Sequence, residues 1–324
     1  MFSNTALINS PSSFLKLGLD NGTRPFANAF PTMTNPWYFQ RSNTRLRSLI
    51  KKQTPIYQLL RILRLTILLG PIRNGVIRYY RWRNSNPSVP TEAKTIFSGL
   101  ASEALVASIR QDGLATGLKV PSGLVAEIRR YCASQPAHTA IDKTYHIDFE
   151  PVDAPVEGLR TFRYISPHNQ CEAVRKLAFD PLLVDVAARY FGVNPVMYDT
   201  EIYWSFPSLQ GRQRKNSEPV AEPFHFESGD FMSIVVFIYL TNVDEQCGPH
   251  VMIKGTHKHK TLRQLLVNHL SFEKAIARYG DRVEAALGPS GTGFIEDLSG
   301  YHQRSPGFKP RLILGIHYMI HRNS

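Results

Sequence analysis

The chain has 324 residues, 43% hydrophobic and 20% charged, which describes a globular protein with room for one sizeable domain plus an appendage, or for two domains. Its three cysteines, Cys132, Cys171 and Cys247, are far apart and form no CxxC pair, which argues against a disulfide framework or a cysteine zinc site and fits a reducing, cytoplasmic compartment. The net charge of +12 is confined to one end: residues 1–91 hold 13 of the 38 Lys/Arg and a single acid, Asp20, while 92–324 are balanced, so the basic character belongs to an extension and not to the main domain.

Residues 1–40 are rich in Ser, Asn, Thr and Pro and show no period, which reads as loose order without a signal-peptide core. Residues 55–83 interleave apolar residues with Arg61, Arg64, Arg73, Arg78, Arg81 and Arg83. The apolar stretch 65–72 is far short of the roughly 20 residues that span a bilayer. Gly70-Pro71 is expected to break a helix there, giving two basic amphipathic helices. Such an arm either packs on the main domain or a second subunit, or lies on an anionic membrane. It carries no recognisable nucleic-acid motif.

Pro87 and Pro90 mark a linker. Beyond it, Leu114–Ser134 reads as helical, and "CEAVRKLAFDPLLVDVAARYFG" (171–192) reads as two helices, the second capped by Asp180 with Pro181 at its first position. From 196 the period changes to two. "VMYDTEIYWSFP", "FMSIVVFIYLTNV", "TGFIEDL" and "RLILGIHYMIH" read as strands, with a helical insertion at 261–280. Helices followed mostly by strands predict a mainly β fold, a barrel or jelly roll with flanking helices.

His225 and Glu227 lie two apart at the start of a strand, so both side chains face one side and Phe226 the other. Alone, such a pair is more often a polar strand start than a metal site. A third ligand is available in His302, and Arg311 follows at the start of the last strand. Two histidines and one carboxylate suit the facial triad of a non-haem Fe(II) oxygenase. Arginine offers a bidentate fork for a carboxylate.

With these residues in view, the sequence resembles the phytanoyl-CoA dioxygenase family of Fe(II)- and 2-oxoglutarate-dependent oxygenases. The matching pieces are "FHFESGDFMSIVVFIYLTNVDEQCGPHVMIKGTHK" and "GTGFIEDLSGYHQRSPGFKPRLILGIHY", within about 95–320. The resemblance implies a double-stranded β-helix, a cupin-like jelly roll, over 92–324. It implies that His225, Glu227 and His302 bind Fe(II) and that Arg311 anchors 2-oxoglutarate. The family's usual pair is His-x-Asp, and this chain has Glu227 in its place. Glutamate keeps the charge and the oxygen donor, so the implied outcome is hydroxylation of a small-molecule or lipid-linked substrate, with succinate and carbon dioxide released. The alternative is a catalytically silent binding module on the same fold, with the basic arm docking to a membrane or partner.

Other polar residues read more simply. His257 and His259, among Lys254, Lys258 and Lys260, read as a solvated turn, and His250 after Gly248-Pro249 as part of a turn. His317 shares a face with Arg311 and reads as a hydrogen-bonded core histidine. Of Tyr203 and Trp204, neighbours on one strand, only one can face the co-substrate, and Tyr203 is the candidate. Gly288, Gly291 and Gly293 form a turn rather than a phosphate loop. Loop 207–222, with Arg212, Arg214 and Lys215, and the helical insertion are expected to shape the substrate mouth.

Overall fold

The change from helical to alternating periodicity near residue 196 divides the elements into two groups. The structure is a computed structural model and describes residues 14–15, 70–83, 94–141, 143–156, 158–207, 223–227, 231–267 and 269–320. The expectations for the rest of 1–69, for the linker at Pro87 and Pro90, and for the basic loop with Arg212, Arg214 and Lys215 lie outside these residues.

The helices are α1 (Gly70–Arg83), α2 (Ser102–Asp112), α3 (Ser122–Ser134), α4 (Glu172–Ala178), α5 (Pro181–Phe191), α6 (Leu262–Leu266) and α7 (Phe272–Tyr279). The strands are β1 (Phe14–Leu15), β2 (Leu114–Lys119), β3 (Ala137–His138), β4 (Thr144–Tyr145), β5 (Thr161–Ile165), β6 (Val196–Ser205), β7 (Ser233–Tyr239), β8 (His250–Ile253), β9 (Val283–Ala286), β10 (Thr292–Glu296), β11 (His302–Arg304) and β12 (Arg311–Met319).

One antiparallel sheet runs β2-β10-β7-β12-β6-β5-β3-β4 and the other β1-β9-β8-β11. Residues 224–226 extend the second sheet through the bridge between His225 and His302. From β6 onward the chain therefore passes back and forth between two facing sheets, the topology of a double-stranded β-helix. The fold expected from the sequence is the fold observed.

Alternation sorts the side chains. Ile234, Val236 and Ile238 of β7, with Leu312, Leu314, Ile316 and Tyr318 of β12, join the core under the helices. Val235, Phe237, Tyr239 and Ile313 pack inside the barrel. Phe224, Phe226, Val251 and Ile253 pack on its far side against Leu265 and Ala275 of the helical insertion. Helix α5 starts as expected: the Asp180 carboxylate accepts from Leu182 N at 2.9 Å and also takes Thr95 Oγ1 at 2.8 Å and Ile96 N at 2.7 Å.

One local expectation is corrected. Leu114–Lys119 is a strand, not the first part of a helix, because left-handed Gly113 (φ 78°) ends α2 and pairing with β10 captures the segment. Gly70-Pro71 stands at the first turn of α1, where proline is tolerated because its missing N–H is not needed, and the expected helix before it lies outside the described residues.

Helix α1 is clipped to the barrel. Ile77 is buried in the helix-side core. Arg81 Nε donates to Phe191 O at 2.8 Å, and Arg73 Nε to Phe231 O at 2.7 Å. Arg73 Nη2 also lies 3.6 Å from Asp297 Oδ2, a carboxylate that is 1% exposed. Asp297 takes further bonds from Tyr190 Oη at 2.6 Å and from Ser299 N and Oγ at 2.9 and 2.6 Å. Burial alone would push this carboxyl up, but Arg73, His257, Ser299 and Tyr190 together hold it below the usual carboxylate range.

A carboxyl held low in the folded state contributes stability that is present above its unfolded value near ~4 and is lost as pH falls through the folded value. Asp297→Ala is therefore expected to cost on the order of 3 kcal/mol by denaturant unfolding at neutral pH. It should also flatten the acid limb of the stability curve. A variant as stable as wild type, with the acid limb unchanged, would contradict this role.

Candidate metal centre

The centre is built by a two-way backbone pairing. His225 N donates to His302 O at 2.9 Å, and His302 N returns the bond to His225 O at 2.8 Å. Glu227 N donates to Leu298 O at 2.8 Å. Period two turns His225 and Glu227 to the same side as His302. Phe226 turns away and packs edge-on to Tyr301 at 5.3 Å. One ligand atom from each of His225, Glu227 and His302 then lies within 4.8 Å of the others. The two rings are 4.6 Å apart between centroids, and His225 Nε2 is 3.8 Å from Glu227 Oε1.

The outer ring nitrogens face backbone acceptors. His302 Nδ1 is 3.1 Å from Gly300 O, and His225 Nδ1 is 3.3 Å from Pro223 O. A proton assigned to each Nδ1 leaves each Nε2 lone pair for a metal. Burial pushes His302 down to about 3, so it is neutral near pH 7. Imidazole nitrogens and a carboxylate converging from one side fit a divalent transition metal such as Fe(II). The extra methylene of Glu227 does not carry its carboxylate out of the cluster.

Arg311 lies on the interior face of β12 and is 1% exposed. Its Nη1 donates to Gly248 O at 2.6 Å. Its Nε has no hydrogen-bond partner among the described residues. A buried guanidinium N–H left unmatched is the feature expected where an anionic ligand docks. Gly248 holds φ at +64°, and a Cβ there would sit 2.7 Å from Ser305 O, so only glycine presents that carbonyl. The rings at this end are Tyr239, 5.9 Å below the guanidinium, and Tyr203, whose hydroxyl burial pushes up against the pull of Arg311. Trp204 points the other way into the helix-side core.

Several sequence readings change. His250 is not a turn residue. It opens β8, faces the interior and places Nε2 2.5 Å from Glu296 Oε2. Glu296 was not singled out from the sequence, where it lay in an apolar strand. It is fully buried, and burial pushes its carboxyl up to about 7. His257 and Lys260 are not a solvated turn. His257 is 6% exposed, and Lys260 Nζ donates to Thr256 O and Ser299 O while sitting 4.8 Å from the Phe226 ring. These carbonyls and rings offset the loss of water, and burial lowers the amine to about 7. His259 is exposed, as expected. His317 is half-buried on the interior face that it shares with Arg311, where burial lowers it against the pull of Glu201, Asp199 and Glu227. Gly288 and Gly291 make the turn before β10, while Gly293 lies within β10. The three cysteines are buried free thiols.

Among the described residues no helix is long and apolar enough to cross a membrane. Neither a protein-family model nor a curated protein matches the chain. Solved structures match the chain at a distance. The epimerase SnoN, a non-heme alpha ketoglutarate dependent enzyme from nogalamycin biosynthesis, is 16% identical over 67% of this chain and 82% of its own, with a TM-score of 0.48. HygX from Streptomyces hygroscopicus, solved with nickel and 2-oxoglutarate bound, is 14% identical over 68% and 87%, with a TM-score of 0.47. EctD from S. alaskensis with bound Fe is 16% identical over 72% and 82%, with a TM-score of 0.47.

Proposed function

We propose that the protein is an Fe(II)- and 2-oxoglutarate-dependent oxygenase that hydroxylates a small-molecule or lipid-linked substrate and releases succinate and carbon dioxide. The observation that carries this reading is the convergence of His225, Glu227 and His302 within 4.8 Å, inside a barrel whose interior also holds Arg311. The motif order shared with the phytanoyl-CoA dioxygenase family supports it. His225 and His302 would hold the metal through Nε2, and Glu227 through a carboxylate oxygen. Iron bound there would supply dioxygen activation coupled to decarboxylation of the co-substrate.

The chain's own residues do the placing. Arg311 would take the far carboxylate of 2-oxoglutarate, with its unmatched Nε and its fixed Nη1 aligned by Gly248. Val235, Phe237, Phe294 and Ile313 line the interior between the two ends and exclude water. Glu201, Asp199 and His317 form a polar stretch of the same wall beside Glu227.

The outer face of α1 supports a second, compatible reading, peripheral contact with an anionic membrane. Trp82 is 76% and Tyr79 49% exposed, and Arg78 and Arg83 lie on the same helix. Brominated phosphatidylserine vesicles are then expected to quench Trp82 fluorescence in a Trp37→Phe background. Vesicle binding without quenching of Trp82 would place the contact elsewhere.

The main reading predicts slow, Fe(II)-dependent succinate release from 2-oxoglutarate even without prime substrate. No release across a broad substrate panel, from protein shown to bind iron, would favour the silent binding module. Arg311→Ala is expected to weaken 2-oxoglutarate binding on the order of 30-fold, the loss of about 2 kcal/mol of charge-assisted bonding, while leaving Mn(II) affinity in place. An equal loss of metal would show that Arg311 does not act as the carboxylate anchor. His302→Ala is expected to remove Mn(II) binding, and retention of wild-type affinity would exclude it from the ligand set.

A further inference from the structure

Glu296 has no place in the ligand set, yet it sits between two imidazoles of the inner wall. Its Oε2 is 2.5 Å from His250 Nε2, and its Oε1 is 3.3 Å from His302 Nδ1. Oε1 has no well-aligned hydrogen-bond partner among the described residues, and the side chain is fully buried. The rings of His250 and His302 are nearly parallel, 5.5 Å apart and 21° inclined. Phe237 and Phe294 wall His250 at 5.0 and 5.4 Å. A carboxyl oxygen this deep and this poorly matched is costly to keep, and the group it faces is the outer nitrogen of a metal ligand.

We infer that Glu296 is a positioning residue that fixes His302 with its proton on Nδ1 and its Nε2 turned to the metal, and that His250 anchors Glu296 in place. This rests on the reading of His225, Glu227 and His302 as the metal ligands. His302 Nδ1 faces Gly300 O at 3.1 Å and, less well aligned, Glu296 Oε1 at 3.3 Å. One proton lies between Glu296 Oε2 and His250 Nε2. Such outer partners set the tautomer and the ring orientation of a metal-bound histidine.

The arrangement needs an acceptor facing His302 and a polar partner facing His250. A glutamine amide supplies both, its oxygen to His302 and its NH2 to His250 Nε2. A methionine fills the same space and supplies neither. The device therefore separates hydrogen bonding from packing and does not depend on a full charge at 296.

The same segment reaches the other end of the site. Gly248, two residues before His250, holds Arg311 through its carbonyl. His250 N donates to Tyr239 Oη at 3.1 Å, and the Tyr239 ring lies below Arg311. His250 thus ties the metal ligand and the carboxylate anchor to one strand.

The test is Mn(II) binding to the full-length apo protein without co-substrate, followed by the EPR signal of free Mn(II), with the visible spectrum of bound Co(II) as a report on ligand geometry. Glu296→Met is expected to weaken Mn(II) binding by about 10- to 100-fold and to alter the Co(II) bands. Glu296→Gln is expected to restore both to near wild type. Wild-type affinity and spectrum in Glu296→Met would overturn the inference, as would a Gln variant as impaired as the Met variant. Should the Met variant not fold, imidazole 15N shifts of the wild-type apo protein decide: Nδ1–H on His302 is expected, and Nε2–H overturns it. Wild-type protein that binds no Mn(II) would instead overturn the metal-site reading itself.

Discussion

The site depends on two backbone hydrogen bonds, one in each direction between His225 and His302. They join a three-residue segment to β11 and lock its register. Because side chains alternate along a strand, a one-residue slip would turn His225 and Glu227 outward and bring Phe226 into the interior. The packing of Phe226 on Tyr301 opposes that slip from the other side of the sheet. The geometry of the His225–Glu227–His302 cluster and the register are therefore the same constraint seen from two faces.

Around that pairing the barrel keeps its charges apart. Arg311 stands at one end of β12, and the interior between it and His317 carries Ile313 and Gly315. Burial discourages charge on His302, His250 and Glu296, while Asp297 stays ionised because Arg73, Ser299 and Tyr190 surround it. The wall thus carries imidazoles that burial keeps uncharged at His302 and His250 and, at the other end, the buried guanidinium of Arg311 with its Nε unmatched among the described residues. Helix α1 is part of the same framework: Arg73 touches Phe231, four residues past Glu227, and Asp297, next to Glu296.

The sequence carried much of this. Strands β6, β7, β10 and β12 were legible because alternation and β-branched composition persist over many residues. The convergence of His225, Glu227 and His302 and the interior place of Arg311 were legible because the order of parts, not any single motif, is specific. Glu296 was not, because a carboxylate at the end of an apolar strand gives no hint of the histidines that β8 and β11 bring to it. His257 and Lys260 misled for the reverse reason. A lysine-rich turn reads as solvated, and only the fold shows the carbonyls and aromatic faces that let Lys260 be buried. Leu114–Lys119 misled because its pairing partner is nearly 180 residues away, in β10.

The most direct measurement is a crystal structure of the protein soaked with Mn(II) and 2-oxoglutarate, with the metal located by its anomalous signal. The account predicts the metal bonded to Nε2 of His225, Nε2 of His302 and a carboxylate oxygen of Glu227, with the far carboxylate of 2-oxoglutarate on Arg311. Metal bound elsewhere, Glu227 turned away from it, or a co-substrate carboxylate held by a different cation would contradict the account.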